Sequence, residues 1–392
     1  MFLSKRLSIS PIKSILVYSM NRLLFVVDSK ISFSEAPSSR ILSISKVLKD
    51  KKIEPEILGM KGENITWLKN TQINGSKYTA RLKIILHAYT KALLQYNHII
   101  VRGGLLAFFL IPLKILNKKI TVDFHGYLFE EIDRFYPRTL YNKLKVAFYY
   151  PLETVGLRYC NLIVCKDQET KDSLGKNEKS KSIVLENGLD LKETERAIHE
   201  AQQQKSNIYK EYSLSEREPL IGFLGNWERK YSMETMLAGC EKTKAKLIIV
   251  GEGPDMEQYK KKWRNALFIG KRPRFESLKL ISLCNAAIVP YTEDKSDKPI
   301  RYSSRKARDY LGLGKPILMA DVKGREKFLV PYENAVFYRP DSPEDLAEKI
   351  RMVISNKKLQ EKMRENNLKL AHQFDWQVLV EKSGLLEKIL TN

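Results

Sequence analysis

A chain of 392 residues has room for two or three domains of ordinary size, and an apolar share of 43% supplies them with cores. Charged residues reach 29% without low-complexity runs, which argues against a disordered chain. The net charge of +22 is spread over both halves, with +13 in residues 1–190 and +9 in the rest, so no basic tail carries it. Such a surface is either simply solvated or fitted to a partner of negative charge: nucleic acid, an anionic membrane or a phosphorylated small molecule.

Cys160, Cys165, Cys240 and Cys284 form no CxxC pair, and the last three sit beside apolar residues, which suits a reducing compartment with no disulfide framework and no zinc site. The histidines show no metal spacing either. No apolar run approaches the ~18–20 residues that span a bilayer. At the N-terminus Pro11 and Lys13 interrupt the apolar run, so it is a poor signal peptide, and the expected location is cytoplasmic.

In chain order, residues 1–20 read as a leader or amphipathic arm. Leu23–Asp28 is a continuous apolar run, as expected of a buried parallel strand. The polar loop SKISFSEAPSSR follows, then a helix over Ile41–Lys49 and a strand at Glu56–Leu58. Residues 60–78 read as loop with a short hairpin. A basic amphipathic helix is expected over Arg81–Tyr96, a strand at His98–Val101, an apolar helix at Leu105–Leu116 and a strand at Ile120–Phe124. Leu140–Tyr159 reads as a long aromatic helix that Pro151 breaks or kinks. Leu162–Cys165 and Ser182–Leu185 are strands around a short helix at Gln168–Leu174, and Asn187-Gly188 is a turn.

The polar stretch 191–216 reads as a connecting helix and linker. A second alternating series begins at Leu220, with strands at Ile221–Leu224, Leu247–Val250, Leu267–Ile269, Ala287–Val289, Ile317–Ala320 and Ala335–Phe337. Helices at Pro343–Ile354, Lys357–His372 and Trp376–Leu390 close the chain. The alternation predicts two α/β halves with parallel sheets, in which ligands bind beyond the carboxyl ends of the strands.

Three strand ends in the second half carry glycine and cations. Gly225 is followed by Arg229 and Lys230, Gly251 by Glu252-Gly253-Pro254, and FIG by Lys271-Arg272-Pro273. A strand ending in glycine lets a ligand approach the backbone, and the cations suit a diphosphate. Each alone is a weak signal. The stretch SSRKARDYLGLGKP adds a helix capped by Ser303 or Ser304, with first-turn N–H groups for a phosphate, Lys306 as a point charge and Asp309 placed to accept ribose hydroxyls. In the first half, DFHG places His125 at a strand end with Glu130 just beyond. A lone histidine is more often structural, but this position favours contact with a substrate hydroxyl.

Together SSRKARDYLGLGKPIL, VGEGP, FIGKRP, NGLD, DFHG and the APSSR segment resemble retaining glycosyltransferases of family 4 (group 1), over roughly residues 22–390. The resemblance implies the GT-B fold: two Rossmann-like parallel-sheet domains facing each other across a cleft. It implies an acceptor-side domain at 21–190, a linker at 191–216, a nucleotide-sugar-binding domain at 217–372 and a C-terminal helix, 373–392, crossing back. Asp309 then resembles the second carboxylate of the family's paired acids, on the ribose, and Arg229 and Lys230 its diphosphate clamp. Lys306 stands as the first-turn cation and His125 as the histidine near the donor sugar. Arg40 and Glu130 fall on the acceptor side. Arg301 stands where the family's first carboxylate would be, with Glu293, Asp294 or Asp297 as substitutes for it; otherwise Arg301 itself contacts phosphate.

The implied activity is transfer of a hexosyl group from a UDP- or GDP-sugar to a glycan or polyprenyl-linked acceptor, with retention, no cofactor and no metal. The basic, aromatic helices Arg81–Tyr96 and Arg138–Tyr159 suggest peripheral contact with an anionic membrane. Arg301 leaves open a catalytically weak or partner-dependent GT-B subunit. A nucleic-acid-binding protein is a third reading, disfavoured because no recognition motif or segregated basic stripe is present.

Overall fold

The computed structural model describes residues 22–33, 35–227, 231–293 and 304–391. The expected leader therefore lies outside the described residues. The chain divides into two compact units. One runs to Leu185 and takes in the chain again from Val380; the other is Glu186–Leu379.

The first unit is built on strands β1 (Arg22–Lys30), β2 (Glu54–Met60), β3 (Lys69–Ile73), β4 (His98–Arg102), β5 (Lys119–Phe124), β6 (Leu162–Cys165) and β7 (Ser182–Val184). They form one parallel sheet in the order β3-β2-β1-β4-β5-β6-β7. Leu23 to Val27 are all buried, because helices cover both faces of a parallel sheet and no side of β1 meets water. The order reverses between β1 and β4, where Leu23 pairs with His98 and Val26 with Val101. Such a switch point opens a crevice beyond the strand ends.

Four local expectations change. The polar segment before Ile41 is helical from Ala36, with proline in the first turn, where its missing N–H costs nothing. The anticipated hairpin within 60–78 is instead β3, parallel to β2. Its polar sequence KNTQI suits an edge strand. Pro151 does not end the helix Leu140–Tyr159. It stands exposed, as does Ala147, whose carbonyl loses its partner and can turn to water. The helix is held from the other side, where Gly156 and Gly104 bring two backbones into contact with no space for a Cβ. The unexpected helix Leu128–Phe135 follows β5.

The second unit has strands β8 (Leu220–Leu224), β9 (Lys246–Val250), β10 (Leu267–Gly270), β11 (Ala286–Val289), β12 (Ile317–Ala320) and β13 (Ala335–Tyr338). They are parallel in the order β10-β9-β8-β11-β12-β13, with the reversal between β8 and β11. The polar 191–216 stretch forms two helices of this unit, Leu191–Gln203 and Lys205–Glu211. The closing segment is two helices, Trp376–Lys382 and Leu385–Thr391, parted at Gly384, whose φ of +69° cannot continue a helix.

Candidate functional site

At the carboxyl ends of β10, β9 and β8 stand Gly270, Gly251 and Gly225, all at positive φ. They form a linked row. Gly251 N donates to Gly270 O at 3.0 Å, and Gly225 N donates to Val250 O at 2.8 Å. A Cβ on Gly251 would run into the Gly225 carbonyl, so glycine is required there by space as well as by its φ of +147°. The loops beyond are stapled: Trp227 Nε1 donates to Pro254 O at 2.9 Å, and Trp227 N to Glu252 O at 3.1 Å.

Lys306 reaches this row from the helix Arg305–Gly312. Its Cε and Nζ lie 3.5 and 3.6 Å from where a Gly225 Cβ would be. The ammonium rests 3.9 Å from the Tyr231 ring centroid and 4.7 Å from that of Phe223, a cation–π seat that fixes a long side chain. Tyr231 stacks on Tyr291, with ring centroids 5.6 Å apart. Ser304 caps the helix, its Oγ accepting from Ala307 N at 3.2 Å. Ser304 N donates to Glu326 Oε1 at 2.7 Å, and Tyr291 Oη donates to the same oxygen at 2.9 Å. Burial and then the neighbouring Glu326 push the Tyr291 phenol well above its usual range, so it stays a donor. Tyr310, one turn beyond Lys306, accepts from Leu224 N at 2.9 Å and donates to Ile288 O at 3.3 Å, bridging β8 and β11 at the switch point.

Asp309 is buried and not free-standing. Arg274 grips it with both terminal nitrogens, at 3.0 and 2.7 Å, and gives its Nε to Glu193 at 2.9 Å. Burial would weaken the guanidinium's proton affinity, but the two carboxylates raise it further. Arg272, one strand end away, is exposed.

In the first unit His125 belongs to a buried ionic cluster. Asp123, at the end of β5, meets Arg40 Nε at 3.0 Å, Arg102 Nη1 at 3.4 Å and His125 Nε2 at 3.2 Å. Burial alone would raise the Asp123 pKa; Arg40, His125 and Arg102 together hold it far below the carboxylate range. For His125, burial and then Arg102 depress the pKa to about 3, so the ring is neutral at physiological pH. Arg102 Nη1 lies 3.0 Å from His125 Nε2, and arginine has only donors. Nε2 also lies 3.2 Å from Asp123 Oδ2, which can only accept, so it stands between a donor and an acceptor and each neutral tautomer satisfies one of the two.

Arg40, expected at the acceptor side, is wholly buried. Its Nη2 donates to Leu185 O at 2.6 Å while Nε holds Asp123, so it positions Asp123. Glu130 is half-buried in the first turn of Leu128–Phe135. Glu293 is exposed. Arg229, Lys230, Asp294, Asp297, Arg301 and Ser303 lie outside the described residues. Sequence reasoning missed Arg274, Arg102, Tyr231 and Glu326. Arg274 directly follows the noted KRP, yet its partner Asp309 is 35 positions on, a pairing that only the fold reveals. Among the described residues no group of three or more His, Cys, Asp or Glu could hold a metal, and no helix is long and apolar enough to cross a membrane.

Residues 204–370 match the family model of glycosyl transferases group 1. An uncharacterized glycosyltransferase of Methanocaldococcus jannaschii is 20% identical over 247 residues, 62% of this chain. The match likewise spans 62% of that relative's length. Among solved structures, sucrose-phosphate synthase from Thermosynechococcus elongatus is similar with a TM-score of 0.72 and 14% identity, covering 94% of this chain and 99% of that one. Anabaena HepE in complex with UDP-glucose gives 0.68 and 15%, covering 93% and 99%. WaaG, a glycosyltransferase involved in lipopolysaccharide biosynthesis, gives 0.68 and 11%, also covering 93% and 99%. These likenesses show the GT-B fold.

Proposed function

We propose that this protein transfers a hexosyl group from a UDP- or GDP-sugar to an acceptor hydroxyl, with retention at the anomeric carbon and without a metal. The observation that carries the reading is the glycine row with Lys306 seated at its Gly225 end. Bare backbone at three adjacent strand ends admits a diphosphate. The Lys306 ammonium and the first-turn N–H groups of Arg305–Gly312 meet the charge that grows on it as the sugar departs. In the transfer, the bond from the anomeric carbon to phosphate breaks and one to the acceptor oxygen forms. The acceptor's proton leaves with the nucleoside diphosphate. Anabaena HepE has been solved with UDP-glucose, which favours a uridine donor here.

Asp309 serves the ribose. A carboxylate has about four acceptor positions, and Arg274 uses one on each oxygen, so both oxygens retain a lone pair for hydroxyls. His125 serves a hydroxyl of the donor sugar. Arg229, Lys230, Arg301 and Ser303 are assigned to the diphosphate on sequence grounds, Arg272 and Gly251 to the rim of the donor site, and Glu130 to the acceptor side. The acceptor is a glycan or a polyprenyl-linked glycan, met in the cytoplasm at the membrane face.

The test is thermal-shift screening against UDP- and GDP-sugars, followed by nucleotide release on addition of candidate acceptors. A shift with one donor class, lost in Lys306→Met, is expected. No shift with any nucleotide sugar would sink the proposal. Donor binding with no release on any acceptor would favour the partner-dependent subunit.

A further inference from the structure

The first unit carries an apolar surface that its own core does not use. The helix Lys77–Leu94 buries Ala80, Ile84, Ala88 and Ala92. On its opposite side Tyr78, Leu82 and Leu86, one turn apart, leave between 58% and 74% of their surface in water. The helix Leu140–Tyr159 repeats the pattern, with Tyr141, Leu144 and Phe148 exposed by 60–61%. Large side chains in such a row are not what solvated helices display.

One helix packs against both of these stripe-bearing helices. Lys145 Nζ lies 4.1 Å from the Tyr141 ring centroid. The helix Gly103–Leu110 links them from beneath: Tyr89 Oη donates to Phe109 O at 2.7 Å, and Gly104 packs on Gly156. Charge on these segments is of one sign. Residues 77–119 hold eight Lys or Arg and no Asp or Glu, and residues 134–152 hold four and none.

We propose that this face seats the first unit on a bilayer surface rich in anionic phospholipid. The leucines and Phe148 enter the headgroup–acyl boundary, the tyrosines stay at its level, and lysines such as Lys83 and Lys143 meet the phosphates. A second copy of the chain is disfavoured as occupant, because it would bring the same acid-free surface against itself. The proposal is independent of sugar transfer and is read without donor.

The protein is sedimented with phosphatidylcholine vesicles, with and without about one-third phosphatidylglycerol. Binding only to the anionic vesicles, weakened by salt, is expected. Lys83→Glu with Lys143→Glu, and separately Leu82→Ser with Leu86→Ser, should each weaken it about tenfold or more. All are exposed positions, and an unchanged melting temperature and circular dichroism spectrum would show that the variants fold. The native thiols are buried, with pKa values pushed up by that burial, so a Leu86→Cys thiol can be labelled alone. Its environment-sensitive dye should shift to the blue on vesicles. Failure of the full chain to bind anionic vesicles, unchanged binding in both double variants, or a dimer dissolved by the leucine variants would each overturn the proposal.

Discussion

Each unit places an arginine–aspartate pair beyond its strand ends, and the two clusters carry opposite surplus charge. In the first unit one carboxylate, Asp123, faces two guanidiniums, Arg40 and Arg102, and a neutral imidazole. In the second, one guanidinium, Arg274, is shared by two carboxylates, Asp309 and Glu193. Burial, and then the cationic surplus, keep His125 unprotonated. The anionic surplus leaves carboxylate lone pairs unspent, available to hydroxyl groups. Similar ion pairs thus serve different ends: one sets a protonation state, the other holds an acceptor in place.

Removing the shared member of each cluster tests this difference. Asp123→Asn takes the carboxylate from between the buried Arg40 and the part-exposed Arg102 and should cost about 3–5 kcal/mol. Urea unfolding, with hydrogen exchange on β5 to assign the loss to the first unit, would measure it; a loss below about 1 kcal/mol would mean that the cluster is wetter than drawn. Arg274→Met should cost somewhat less, about 3 kcal/mol, because Asp309, 5% exposed, loses its guanidinium while water can still reach Glu193, 23% exposed. The same variant should weaken donor binding, and unaltered calorimetric affinity would detach Asp309 from the nucleotide. Lys306→Met keeps most of the packing on Tyr231 while deleting the charge. Donor affinity should fall about 10- to 100-fold, with little change in thermal stability.

The smallest effect is on acid stability. His125 has a folded pKa near 3 against 6.5 for the free side chain. The folded form binds fewer protons, so this contribution is complete above pH 6.5 and is lost as pH falls towards 3. The ring side chain retains 20% exposure, which discounts the effect to roughly 1 kcal/mol at pH 5. His125→Asn should flatten the stability curve between pH 6.5 and 5, and an unchanged slope would place the proton elsewhere.

Most strands were legible because a parallel sheet buries both faces and so demands unbroken apolar runs. Leu162–Cys165 and Ile317–Ala320 were read to the residue. The polar edge strand Lys69–Ile73 gave no such signal, since half of its environment is water. The glycines at strand ends were legible for a related reason: glycine after an apolar run marks a strand end that turns at positive φ, as Gly225, Gly251 and Gly270 do. The burial of Arg40 was not legible in its polar segment. Its neutralising partner lies 83 residues away, and distance along the chain hides that compensation. Arg274 and Asp309 escaped as a pair for the same reason.

The return of the chain to the first unit has a consequence for the order of synthesis. Leu385 and Ile389 are buried there, Leu385 beside Phe25, Ile41 and Ile44. Lys51 pairs with Glu381 at 2.7 Å. The unit translated first is thus completed last. A ribosome must make the whole second unit before it supplies the side chains that close the first, so truncation anywhere before Val380 leaves an earlier core open. The later unit, uninterrupted from Glu186 to Leu379, can finish while its predecessor still waits.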